Sequence, residues 1–166
     1  MLTETERAYL AGFFDGDGCI NISISKSKNA ATVNHQLHVI FAQCNEAFLE
    51  EWMHKTALGK IYKHRWPNHK ARKIMYHWRM SSRQAEKMLN LLLPYLQIKR
   101  QQAEVALRFQ RTKGHYGGPH STPQVILKER EQLKQLLHDL KAYNNLEAIE
   151  LQAMLECPNL QLKLMP

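Results

Sequence analysis

Asp15 and Asp17 stand two residues apart among glycines in the stretch "YLAGFFDGDGCINISIS", residues 9 to 25. A carboxylate delivered beside glycine can sit where backbone approaches a phosphate, because glycine has no Cβ to obstruct the approach. Such a carboxylate suits Mg²⁺, a hard ion that takes oxygen ligands and is often held by one or two carboxylates plus substrate phosphate and water. Asp-Gly pairs also serve simply as turn or cap residues, so these letters alone leave both readings open. The three cysteines, Cys19, Cys44 and Cys157, are odd in number and form no CxxC pair. They fit buried free thiols in a reducing compartment better than a disulfide framework or a structural zinc site.

The elements that position these acids follow from two alternating periods. Thr3 and Glu6 have the spacing of a capping box. After them Leu10, Phe13 and Phe14 make one apolar helical face, and Tyr9, Gly12 and Gly16 line an adjacent one. Ile20, Ile22 and Ile24 then alternate with Asn21, Ser23 and Ser25, predicting a half-buried strand directly after the acids. Leu37, Val39 and Phe41 alternate with Gln36, His38 and Ile40 in a second strand. A helix over about 45 to 57 ends before Gly59 in the manner of a C-cap glycine. Residues 60 to 66 and 72 to 80 form another strand pair, joined by a turn at "PNHK", with Ile74, Tyr76, Trp78 and Met80 opposing Lys73, Met75, His77 and Arg79.

Beyond residue 81 the pattern is helical: "SSRQAEKMLNLLL" up to Pro94, a helix from about Leu96 to Arg111, the loop "KGHYGGPHSTP", and a long helix from about Pro123 to Tyr143 capped by Ser121 or Thr122. A shorter helix near 146 to 156 stops at Pro158, before a loose tail. The fold class is therefore α+β, αββαββα with an antiparallel four-stranded sheet and C-terminal helices.

With 166 residues and a net charge of +8, the chain has the size of one domain and the charge balance of a partner for a polyanion. The charge is uneven: no acid lies between Asp17 and Glu46, and nine Lys/Arg with no acid lie between Glu51 and Glu86. The strands are basic and the acids sit in helices. A sheet face of Asn, Ser, Gln, His, Lys and Arg offers donors and acceptors for base edges as well as charge for phosphates. The candidate DNA-binding residues are Asn21, Ser23, Ser25, Lys26 and Lys28 in the first strand, and Gln36 and His38 in the second. In the second hairpin they are Lys60, Tyr62, His64, Lys73, Met75, His77 and Arg79, although Ile61, Lys63 and Arg65 compete with Tyr62, His64 and Trp66 for the groove face.

The segment "LAGFFDGDG", Leu10 to Gly18, resembles the signature of the LAGLIDADG homing endonucleases, and the polar-alternating strand that follows is similar too. "HQLHVIF" in the second strand and "PYLQIKRQQA", Pro94 to Ala103, add to the resemblance, which covers about the first 145 residues. A single copy of the motif places the chain with the single-motif class, which works as a homodimer. The resemblance implies that Asp17 binds catalytic divalent metal, with Mg²⁺ as the expected cofactor and the Gly16 carbonyl as a second ligand. Asp15 matches the motif's first acid, implying cap or interface hydrogen bonding. Lys99 aligns with the family's active-site lysine, a cation for charge developing on phosphate. Asn45 falls where a polar side chain often positions water, and is shorter than the glutamine that a closely comparable family member carries there. The dimer contact implied is Tyr9, Gly12 and Gly16 of each first helix.

The expected activity is metal-dependent phosphodiester hydrolysis: a double-strand break with short 3′ overhangs in a long, roughly palindromic duplex site. The alternatives are an intron RNA-binding maturase of the same fold and a non-cleaving DNA-binding protein. The expected domains are residues 1 to 145 for the endonuclease and 146 to 166 for a C-terminal helix and tail. No apolar run long enough to span a bilayer is present. The expected location is intracellular and reducing, with chloroplast or mitochondrion implied by the resemblance.

Overall fold

The structure is a computed structural model that describes residues 2–26, 33–64, 74–113 and 122–142. Its first helix, α1, runs Glu4–Asp17 and opens with the expected capping box. The Thr3 N–H donates to Glu6 Oε2 at 2.9 Å and the Glu6 N–H to Thr3 Oγ1 at 3.2 Å, an arrangement worth about 1 kcal/mol. Leu10, Ala11 and Phe14 enter the core while Phe13 packs at its edge. The helix passes without a loop into β1, Gly18–Lys26. A Cβ at Gly18 would stand 2.5 Å from the Phe14 carbonyl oxygen, so only glycine allows the chain to turn this sharply from helix to strand.

Three more strands complete the sheet: β2 Val33–Gln43, β3 Lys60–His64 and β4 Met75–Ser81. The order is β1-β2-β4-β3, and every pairing is antiparallel. Ile20, Ile22, Leu37, Val39, Phe41, Trp78 and Met80 all point to one face and are buried. Ile24, expected to join them, remains 41% exposed near the end of the strand. Ile74 precedes β4 and is also exposed.

The helices cover the apolar face. α2, Glu46–Thr56, is capped by Asn45 and closed by Ala57 in the left-handed conformation, with its N–H on the Met53 carbonyl. The expected C-cap, Gly59, lies two residues further on and has another purpose. Its φ is +78°, and a Cβ there would stand 2.7 Å from both the Arg79 carbonyl oxygen and the Trp78 indole nitrogen. The same indole donates to the Leu58 carbonyl at 2.7 Å.

α3 spans Arg83–Leu92, followed by a 3-10 turn at Leu93–Tyr95 that accommodates Pro94. α4 begins at Arg100, four residues later than the Leu96 start expected from sequence, and runs to Arg111. α5, Gln124–Ala142, packs along α4 and buries Leu133, Leu136, Leu137 and Leu140. Arg130, itself buried, donates through Nη2 to the Thr112 carbonyl at 2.7 Å, and His35 Nε2 meets Glu131 Oε2 at 2.9 Å. The element order is the expected α+β order, and among the described residues the helices pack against the apolar face of the sheet. No helix among the described residues is long and apolar enough to cross a membrane. The turn at 67–70, Ser121, Tyr143, Cys157 and the helix expected near 146 to 156 lie outside the described residues.

Candidate active site and nucleic-acid interface

The two motif acids have different surroundings. Asp15 is 8% exposed. Its carboxylate accepts the backbone N–H of Gln97 at 2.8 Å, of Ile98 at 3.2 Å and of Lys99 at 2.9 Å. These amides precede α4, whose first turn has N–H groups without intrahelical acceptors and a partial positive charge. Asp15 thus caps the approach to a helix distant in sequence, in line with a capping role for the motif's first acid. The late start of α4 follows from the extended backbone of Leu96 after the 3-10 turn, and the carboxylate satisfies the amides of the segment that leads into α4.

The same contact places a cation. Lys99 Nζ donates to the backbone carbonyl of Asp15, so its half-buried side chain lies along the last turn of α1. That turn contains no basic residue of its own, and helix carbonyls there carry the negative end of the macrodipole. Asp17, two residues further on, is exposed and has no hydrogen-bond or ion-pair partner among the described residues. Gly16 beside it is also exposed. Among the described residues no group of three or more His, Cys, Asp or Glu side chains is arranged to hold a metal. A single free carboxylate and a neighbouring carbonyl form an incomplete oxygen donor set, which fits Mg²⁺ shared with phosphate, water and a second carboxylate and does not fit an all-protein cage.

Asn45 is the N-cap of α2, and its Oδ1 accepts the Phe48 N–H at 3.2 Å. The amide oxygen is committed there, which leaves the exposed NH₂ as the group able to hold water. Cys19 and Cys44 are free and exposed, contrary to the expectation of burial; Lys141 Nζ lies 3.8 Å from Cys19 Sγ.

Strand register settles which residues share the open face, because residues directly opposite in an antiparallel ladder point the same way. Asn21 faces His38, Ser23 faces Gln36, and Ser25 faces Asn34. Arg79 lies between Ile40 and Lys60, and His77 between Ala42 and Tyr62. Lys60, Tyr62 and His64 therefore lie on the polar face, while Ile61 and Lys63 oppose Trp78 and Tyr76 on the other. The rings of His64 and His77 stack at 5.2 Å. Lys26 pairs with Val33 through the backbone; Lys28, Lys73, Arg65 and Trp66 lie outside the described residues.

Sequence reasoning missed Ser81, which it assigned to a helix. Ser81 ends β4 opposite His38, and its hydroxyl lies 2.8 Å from His38 Nδ1. The next residue, Ser82, turns the chain with a φ of 50° and accepts the Gln36 amide at 3.5 Å. A serine at positive φ has no simple sequence signal. Burial lowers the pKa of His38, helped by Arg79 and Lys113; burial lowers that of His77 too, helped by His64 and Arg79. At neutral pH both rings are uncharged; His77 can donate and accept, the property suited to base edges, whereas both ring nitrogens of the buried His38 are taken by Ser23 and Ser81.

Of the interface candidates, Tyr9 is 56% exposed and stacks on Trp52 at 5.7 Å within the chain. A Cβ at Gly12 or Gly16 would meet nothing within 4 Å among the described residues. Both glycines are helical and neither is required by a described neighbour in its own chain, yet a helix-interior glycine costs about 1 kcal/mol relative to alanine.

The solved structures similar to this chain share its fold. The homing endonuclease I-CvuI, in complex with its target in the presence of calcium, is 22% identical with a TM-score of 0.68, covering 92% of this chain and 93% of that one. The archaeal intron-encoded homing endonuclease I-Vdi141I, complexed with DNA, is 16% identical with a TM-score of 0.66, covering 92% and 96%. The LAGLIDADG homing endonuclease I-GzeII, in complex with a DNA target, is 15% identical with a TM-score of 0.58; the match covers 77% of this chain and 43% of that larger one. No curated protein matches in sequence. The LAGLIDADG endonuclease family profile matches residues 10–114, from the start of the motif through α4. With its one motif joining α1 to β1 and the polar sheet face beyond, the chain belongs to the LAGLIDADG endonuclease family.

Proposed function

We propose that two copies of this chain form a site-specific DNA endonuclease that makes a double-strand break, with short 3′ overhangs, in a long and roughly palindromic site. What carries the reading is Asp17: a free, exposed carboxylate at the end of a helix whose Gly12 and Gly16 edge is open, leading directly into a polar sheet face. Packing α1 against α1 along that edge uses the two glycines that no described neighbour in the single chain requires, and brings two Asp17 carboxylates together.

In the assembled site Asp17 and the Gly16 carbonyl would hold Mg²⁺. The chemistry supplied by the bound ion is activation of the hydrolytic water and neutralisation of charge on the leaving oxygen. Asp15 fixes the segment from Gln97 to Lys99. Lys99 keeps a positive charge beside the last turn of α1, where it favours charge developing on the phosphate. The Asn45 NH₂ donates to the water. Asn21, Ser23, Gln36, His77 and Arg79 read base edges, and Lys60 contributes to phosphate attraction. Each subunit's sheet would occupy about one helical turn of major groove.

Selection of cleavable sites from a randomised duplex library in Mg²⁺ buffer tests the proposal. Asp17→Asn should abolish cleavage and leave binding of the selected site within roughly tenfold, since shape is kept and one ligand charge is lost. Cleavage by Asp17→Asn at the wild-type rate would overturn the assignment. Preferential binding of structured intron RNA with no duplex cut would identify a maturase.

A further inference from the structure

A serine hydroxyl tells one base edge from another only when its polarity is controlled, since a free serine can serve as either donor or acceptor. On the polar sheet face the ring of His38 lies between two such hydroxyls on neighbouring strands. Ser23 Oγ on β1 is 2.9 Å from Nε2, and Ser81 Oγ on β4 is 2.8 Å from Nδ1. The histidine is 8% exposed, whereas both serines are half-buried and keep an open side. The other contact of Ser23 is a long one, 3.5 Å to the Gln36 carbonyl, where its hydrogen rests when nothing better is offered.

A neutral imidazole has one N–H and one lone pair. With the proton on Nε2, Ser23 accepts from the ring and its hydrogen is free for a base, while Ser81 donates to Nδ1 and offers only lone pairs outward. With the proton on Nδ1 the two roles exchange. The exchange moves one proton between ring nitrogens, rotates both hydroxyls and leaves net charge unchanged. The groups that hold the ring neutral are its own burial and the cations of Arg79 on β4 and Lys113 beyond α4.

We infer that His38 is a positioning residue that couples Ser23 and Ser81 into one complementary donor–acceptor pair, so that base preferences at the two positions they meet are interdependent. The inference rests on the DNA-groove reading of the sheet. Without the ring the two hydroxyls would rotate independently, and with a charged ring both would be donors.

Two measurements test it. Binding selection from a randomised duplex library, using the full chain without divalent metal, should give two base positions per half-site whose preferences covary. Ser23→Ala and Ser81→Ala should each weaken discrimination by about three- to tenfold, and the double variant by less than the product. In His38→Phe the covariation should vanish from whatever duplex sites the variant selects. Independent preferences in the wild type, or covariation that survives His38→Phe, would overturn the coupling. The second measurement needs no DNA: ¹⁵N NMR of the imidazole in the free protein should show one protonated ring nitrogen at pH 7. Ser23→Ala and Ser81→Ala should shift the tautomer balance in opposite directions. A doubly protonated ring, or a balance indifferent to both serines, overturns the inference even if the groove reading stands and even if His38→Phe fails to fold. A ring that behaves as expected in a chain that selects no duplex sequence would overturn the groove reading, and with it the base coupling.

Discussion

Asp15 grips Lys99 at both ends: its carboxylate accepts the lysine's backbone N–H at 2.9 Å, and its own carbonyl accepts the ammonium. One residue of the motif thereby docks α1 onto the start of α4 and places a positive charge two residues from Asp17.

Asp15→Asn should therefore act on stability, and Asp17→Asn should not. An asparagine keeps one acceptor but turns an NH₂ toward amides that need acceptors, which should cost about 2–3 kcal/mol. Asp17 has no partner among the described residues, so its substitution should change stability by less than about 0.5 kcal/mol. Urea denaturation of the two variants beside wild type checks this; equal losses would show that Asp15 is not the structural member of the pair.

Lys99→Met should slow cleavage at least tenfold, a loss of about 1.4 kcal/mol in transition-state stabilisation. Binding of the selected site should fall by less. The backbone N–H that holds Asp15 is unaffected, so the fold is kept. Single-turnover cleavage and equilibrium binding on one duplex separate the two effects, and equal losses in both would make Lys99 a phosphate contact.

The parts legible in the sequence are those set by local chemistry. Thr3 and Glu6 are three residues apart, so their capping box needs nothing else. Leu37, Val39 and Phe41 reveal their strand by alternation alone and are all fully buried. What was not legible depends on distant partners. The segment that leads into α4 is held by a carboxylate 82 residues from Gln97. The face of β3 is set by pairing Ile61 with Trp78, because exposed Lys60, Tyr62 and Lys63 show no apolar period of their own. Ser81 looked helical since Ser and Gln are common in first turns, and only its pairing with His38 places it in β4. Ala57 takes a left-handed cap at a cost of about 1 kcal/mol, a choice that the nearby Gly59 concealed because its backbone freedom is used against Trp78 and Arg79.

Stability should fall as the pH drops below neutrality. His38 and His77 have native pKa values below the ordinary 6.5. Below that ordinary value the unfolded imidazoles bind protons that the native ones resist, so stability declines from about pH 6.5 down through the depressed native values. Glu131 adds a second, lower window. Its hydrogen bonds from His35 and then Lys134 depress its pKa, so its contribution is present above the ordinary 4.5 and is lost as pH falls through the native value. Denaturant midpoints at pH 7.5, 6.0 and 5.0 check the first window: the wild type should lose stability across it, and a His38→Gln/His77→Gln variant should lose less. A flat wild-type profile would contradict the neutral-ring description of the sheet face.

In the proposed dimer Gly12 connects the motif helix to double-strand cutting. Within one chain a side chain there meets open space, so Gly12→Leu should leave the fold intact and even favour the helix by several tenths of a kcal/mol. Leu10 and Phe14 stay buried in the same core as before. In a dimer built on α1 the same leucine stands where two backbones meet, and overpacking there should cost about 1–3 kcal/mol per affected subunit. The two effects have opposite signs, so the variant should melt no lower than wild type as a monomer while shifting its assembly toward monomer. Loss of the paired Asp17 carboxylates and of half the DNA contacts should then remove double-strand cleavage. Sedimentation measured beside plasmid cleavage gives the decision. A Gly12→Leu protein that stays fully dimeric and still cuts both strands would show that the open glycine edge is not the subunit interface.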